Sequence, residues 1–158
     1  MNNPEILVLY TRLHEDPDRH QASAATWHLA EQAYNRFFPD DTFRQGLTHH
    51  ENERPEHRQV DFNLAHSGPH ILCAMTTEGR VGVDIEPWDR PMPAIPEKWI
   101  DREKDRLTGS PDNPLHYWCA KEAVLKAEGQ SPLDAMPEIR LNGDTATFRN
   151  QYWHLHAL

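Results

Sequence analysis

The chain has 158 residues, the size of one domain, and a fold of that length buries about two-thirds of its unfolded surface. Thirteen prolines against seven glycines, with 37% apolar residues, describe a globular unit with stiff loops rather than a disordered tail. A formal net charge of −9 excludes broad contact with nucleic acid or anionic lipid, so any phosphate ligand must meet a local basic cluster.

No run of about 18 apolar residues occurs, and the start, MNNPEILVLY, has neither a basic n-region nor a small-residue cleavage site, so a cytoplasmic protein is expected. Cys73 and Cys119 each lie in an apolar segment and read as buried free thiols. Among the histidines, His49, His50, His57, His154 and His156 lack metal-ligand spacing and read as solvated surface.

In chain order, Ile6–Tyr10 is a β-rich run, and a helix is expected from near Pro17 to about Phe37. Thr42–His57 is a polar connection of loop or short strand. The segment VDFNLAHSGPHILCAMTTEGRVGVDIE carries the densest strand signal, which predicts a three-stranded meander ending at Glu86. The proline-rich PWDRPMPAIP then divides the chain into halves, 1–86 and 87–158, within one compact unit. A charged helix around Pro96–Leu107 and a turn at TGSPDNP precede a second long helix, WCAKEAVLKAE, which Gly129 stops. IRLNGDTATF predicts a hairpin through Asn142-Gly143, and QYWHLHAL a last strand, so the fold class is α+β.

Two stretches could carry chemistry. In VGVDIE a strand period of two sends Val81, Val83 and Ile85 to one face and Gly82, Asp84 and Glu86 to the other, the carboxylates roughly 7 Å apart. A hard cation such as Mg²⁺ needs only two or three protein oxygens. In the second helix, steps of about 100° from Leu115 place Leu115, Trp118, Cys119, Glu122 and Lys126 on one stripe. A carboxylate there must be paired, protonated or metal-bound, since burying it alone costs several kcal/mol. Each stretch alone also reads blandly, as a solvated acidic strand face and an intrahelical Glu122–Lys126 ion pair. His66, at a strand end, and Arg19 and His20, at a helix start with free backbone N–H groups, could meet a phosphate.

Together, GVDIE and WCAKEAVLKAEG, preceded by FNLAHSG, resemble the signature of the 4′-phosphopantetheinyl transferase superfamily, surfactin-synthetase-activator type. The ordered trio is specific where each motif alone is weak. The resemblance implies two similar α/β halves related by a pseudo-twofold axis, with coenzyme A and Mg²⁺, or Mn²⁺, in the cleft between them. It implies transfer of the phosphopantetheine arm of coenzyme A to a serine of an acyl, aryl or peptidyl carrier protein, a holo-carrier-protein synthase activity serving fatty acid, polyketide or nonribosomal peptide biosynthesis. By the same resemblance Asp84, Glu86 and Glu122 are the metal ligands and Glu122 the base. Lys126 stabilises the leaving phosphate, and Arg19, His20 and His66 contact the 3′-phosphate or its neighbourhood. Arg54 reaches the pyrophosphate, Lys121 touches coenzyme A, and Glu103 lies near the metal. A monomer is expected.

The chain departs from the family pattern at Ala65, where a serine usually precedes the histidine, and at Glu51-Asn52-Glu53. Against the same pattern, the chain to Leu158 is expected to be one strand short of the usual last pair. Lys98, Arg102, Lys104 and Arg106 form a candidate patch for docking an acidic carrier. The rival readings are a metal-dependent nuclease, which the acidic net charge opposes, and a non-catalytic relic that binds carrier or coenzyme A.

Overall fold

The computed structural model describes residues 5–50, 53–89, 98–101, 104–109, 113–129 and 133–158. Strand β1 (Ile6–Arg12) leads through a polar loop into helix α1 (Arg19–Phe37). Asp18 caps that helix: its side chain accepts the N–H of Gln21, and the Gln21 side chain returns to the Asp18 N–H. The helix therefore begins two residues after Pro17, and its first turn is partly satisfied rather than free. A single turn α2 (Phe43–Gly46) and the two-residue strands β2 (Leu47–Thr48) and β3 (Glu56–His57) fill the polar connection.

The expected meander is rearranged. Strands β4 (Asp61–Ser67) and β5 (His70–Thr76) form the hairpin, turning through Gly68, whose φ of 53° suits glycine. The third strand of the sheet is β1, paired antiparallel with β5 in the order β1-β5-β4. Alternation then sorts the hairpin between two faces. Phe62, Ile71, Cys73 and Met75 pack under α1 against Leu29, Ala30, Ala33 and Tyr34. Ala65, Leu72 and Ala74 face away and are covered by Val81 and Val83.

Residues 81–86 do not join the sheet as a strand. The alternation is kept, but the backbone partners are side chains: Asp61 Oδ2 accepts the N–H of Val81 at 2.6 Å, and Asn63 Oδ1 accepts that of Val83 at 2.9 Å. Polar residues on the second face of β4 thus replace a strand ladder.

Helix α3 (Pro114–Glu128) lies directly on this segment. Asn113 caps its start, and the N–H of Gly129, at a φ of 116°, closes its end on Leu125 O. A Cβ at Gly82 would stand 2.0 Å from Ala123 O and 2.5 Å from Ala127 N, both backbone atoms of the helix. We expect Gly82→Ala to lower stability by about 1–3 kcal/mol. Thermal unfolding followed by circular dichroism checks this, and a variant melting with the wild type would mean that helix and segment are not in backbone contact.

The far face of α3 builds a second core. Tyr117, Val124 and Leu125 pack with Ala135 and Met136 of a 3-10 helix (Leu133–Glu138) and with Leu141, Ala146 and Phe148. Leu141, Ala146 and Phe148 belong to a sheet ordered β6 (Arg106–Leu107), β7 (Arg140–Gly143), β8 (Thr145–Phe148) and β9 (Gln151–His154). The hairpin through Gly143 and the last strand are where the sequence places them. The expected charged helix is not: Lys98 and Trp99 sit in a turn, and Arg106–Leu107 is a strand parallel to β7. Residues 90–97, 102–103 and 110–112, and with them Glu103, Arg102 and most of the proline-rich link, lie outside the described residues. No described helix is long and apolar enough to cross a membrane.

Two minor expectations change. Cys73 is fully buried and its thiol is pushed up to about 12 by burial, whereas Cys119 is only part-buried; both are free. His57 is not solvated: it stacks on Phe43, donates from Nε2 to Phe43 O and accepts the Gln59 N–H at Nδ1, which fixes it neutral.

Candidate active site

The Gly82 contact decides what meets what. With helix backbone against segment backbone, the carboxylates of the segment come level with the charged residues of α3. Lys126 Nζ donates to Asp84 Oδ1 at 2.6 Å, with the Asp84 side chain 9% exposed and that of Lys126 31%. The Glu122 carboxyl is part-buried and its pKa is raised, first by burial, then by the negative charge of Asp84 and further by Glu86, with Lys126 opposing. Four of the expected residues, Asp84, Glu86, Glu122 and Lys126, therefore share one neighbourhood although some 40 positions separate the two stretches.

Two further groups belong to it. Ser67 Oγ donates to Glu86 Oε2 at 2.6 Å and ties the β4–β5 turn to the acidic segment. Cys119 lies on the same side of α3, its thiol pushed up by burial first and by the charge of Asp84 next. Sequence reasoning passed over Ser67, although a hydroxyl at a strand end before a glycine turn is a signal of the kind that singled out His66 beside it. Past Glu86, the Trp88 ring stands edge-on to His116 at 4.7 Å, setting the chain against the start of α3.

The donor set suits a hard cation in kind. Among the described residues Asp84 Oδ2 is buried without a nitrogen or oxygen donor, and a cation would relieve the mutual repulsion of Glu122, Asp84 and Glu86. As placed, Lys126 holds one Asp84 oxygen and Ser67 one of Glu86, and among the described residues no three ligands converge on a metal position.

The remaining candidates lie elsewhere. His66, Arg19 and His20 are exposed; the loop before α1 reaches the β4–β5 turn, with Leu13 donating its N–H to Pro69 O at 2.9 Å. Lys121 is fully buried in the second core, paired with Asp105 at 2.7 Å and donating to Trp99 O at 2.9 Å. Arg54 is buried against the end of α3 and faces backbone carbonyls. Of the basic patch, Lys98 and Lys104 are exposed, with Lys104 held by Asp101 at 3.0 Å, and Arg106 donates to Asp105 O.

Residues 80–156 match the family profile described as the 4′-phosphopantetheinyl transferase superfamily. A Synechocystis protein that carries the name 4′-phosphopantetheinyl transferase provisionally is 36% identical over 83 residues, 48% of this chain and 34% of its own length. The 4′-phosphopantetheinyl transferase Sfp of Bacillus subtilis is 29% identical over 102 residues, 57% of this chain and 43% of its own. The transferase HetI of Nostoc is 35% identical over 77 residues, 43% of this chain and 32% of its own. The chain thus matches less than half the length of each of these relatives, and no solved structure matches it. Residues 80–156, which hold both the acidic segment and the charged helix, are thus the part of the chain that matches the 4′-phosphopantetheinyl transferase superfamily.

Proposed function

We propose that the chain transfers the 4′-phosphopantetheine arm of coenzyme A to a serine hydroxyl of an acyl, aryl or peptidyl carrier protein, releasing adenosine 3′,5′-bisphosphate. The observation that supports this is the meeting of Lys126 with Asp84 at 2.6 Å, beside Glu122, across the Gly82 contact. Asp84, Glu86 and Glu122 would hold Mg²⁺ or Mn²⁺, which when bound neutralises charge on the pyrophosphate oxygens.

The chain's own groups divide the remaining work. Glu122, whose proton affinity burial raises, takes the proton of the carrier serine. Lys126 supplies positive charge to the departing phosphate, and Asp84 keeps its ammonium aimed into the site until then. The exposed His66, Arg19 and His20 receive the 3′-phosphate end of coenzyme A. Lys121 and Arg54, both buried and engaged, are not in this binding set. The sheet under α1 and the sheet under α3 correspond to the halves 1–86 and 87–158, related by a pseudo-twofold axis. The exposed Lys98 and Lys104 belong to the surface that an acidic carrier approaches, and the chain acts as a cytoplasmic monomer.

The test is direct. The protein is incubated with apo carrier, coenzyme A and Mg²⁺, and the carrier is weighed intact. A gain equal to one phosphopantetheine arm is expected, removed by a chelator and restored by Mg²⁺. No gain with several carriers would overturn the reading.

A further inference from the structure

Arg54 links three parts of the molecule. Nη1 donates to Lys126 O at 2.8 Å and to Ala127 O at 2.5 Å, carbonyls of the last turn of α3 that have no partner within the helix. Nη2 donates to Phe62 O at 3.0 Å, to Val81 O at 2.8 Å and to Asp61 Oδ2 at 2.7 Å, the same oxygen that accepts the Val81 N–H. The side chain is 8% exposed. Both Nη groups are spent on backbone and on Asp61, so neither is left for a phosphate. The planar fork brings four Nη protons to these five acceptors, one proton of Nη2 being shared between two of them, a reach that a lysine ammonium with three protons on one nitrogen does not have.

The acceptors are not scattered. Two lie on α3 at and beside Lys126, one opens the segment that carries Asp84, and two lie on β4 beneath that segment. We propose that Arg54 is a positioning residue: it locks the Lys126 end of α3 and the start of the Val81–Glu86 segment to β4, and so sets the approach of Lys126 to Asp84. This rests on the transferase reading given above. It assigns Arg54 a role unlike contact with coenzyme A, and the two roles separate kinetically.

The experiment uses the full chain with Arg54→Ala and Arg54→Lys. In the carrier-modification assay kcat falls about tenfold to a hundredfold in Arg54→Ala, as expected when reacting groups are displaced by about 1 Å. The KM for coenzyme A stays within about twofold, and Arg54→Lys falls between the alanine variant and the wild type. A raised KM with unchanged kcat would overturn the proposal and return Arg54 to the ligand. A second readout needs no transfer activity. The Cys119 thiol lies between segment and helix, and its rate with a disulfide reagent, compared with that of fully buried Cys73, rises about tenfold when the segment lifts. An unchanged ratio in both variants would also overturn the proposal. If the wild type modifies no carrier, the transferase reading fails and the thiol ratio alone decides the clamp. If Arg54→Ala does not fold, Arg54→Lys decides in both arms.

Discussion

Lys121→Met is expected to lower the unfolding free energy by about 3–5 kcal/mol, because it leaves the Asp105 carboxylate buried without its cation. Both side chains are fully buried, and Asp105 also accepts the N–H groups of Leu141 and Asp101, so its charge cannot turn towards water. Burial drives the Lys121 pKa down and Asp105 pulls it back, the pattern of a charge kept in the core by one partner. For a chain of this size the melting temperature falls by roughly 10 °C. Adding Asp105→Asn recovers part of the loss, because the two changes remove one interaction between them and are not additive. A single variant that melts with the wild type would remove the pair as a structural element. A raised KM for coenzyme A in the folded variant would place Lys121 at the ligand after all.

Glu122→Gln is expected to act in the opposite way, on rate and not on stability. Removing a general base costs about 10²–10⁴ in kcat, and here the same change also removes a proposed metal ligand. The amide keeps the shape of the side chain and deletes a negative charge that burial, Asp84 and Glu86 all disfavour, so the melting temperature holds or rises. Carrier modification at the wild-type rate would take Glu122 out of the chemistry. A large fall in melting temperature would assign it to the fold.

The two variants concern neighbouring residues, and the contrast shows where sequence reading worked. Helix α3, its glycine stop and the hairpin after it follow from periodicity and turn residues, and the sharing of one neighbourhood by Asp84, Glu86, Glu122 and Lys126 follows from the ordered motifs. The buried face of α3 does not. A helical wheel assumes one apolar stripe, but this helix is covered on two sides. Tyr117, Val124 and Leu125 meet the second core, while Ala123 and Ala127 meet Gly82. Of the stripe drawn through Trp118, Glu122 and Lys126, the two charged residues meet the acidic segment while Trp118 packs on the second core against Trp99, and the lysine that does occupy the core, Lys121, is the one a wheel scores as polar.

The acidic segment misled for a related reason. Val81, Val83 and Ile85 alternate as a strand would, because one face is buried, but Asp61 and Asn63 take the backbone N–H groups that a neighbouring strand would have taken. Alternation reports which face is covered and says nothing of which atoms accept the hydrogen bonds. The partners of Arg54 are hidden from the sequence in the same way: a basic residue in a polar loop carries no local mark that its acceptors lie on α3, 72 and 73 positions away.

Those acceptors also limit how the chain can be divided. The stretch that matches the superfamily begins at residue 80, yet the groups holding its first turn of chain, Arg54, Asp61 and Asn63, all precede that point. A fragment cut there would present the Val81 and Val83 amides, the Val81 carbonyl and two carbonyls of α3 with no protein partner. The stretch that matches the superfamily is therefore not a unit of folding by itself, and the residues before it supply the scaffold on which Asp84, Glu122 and Lys126 stand.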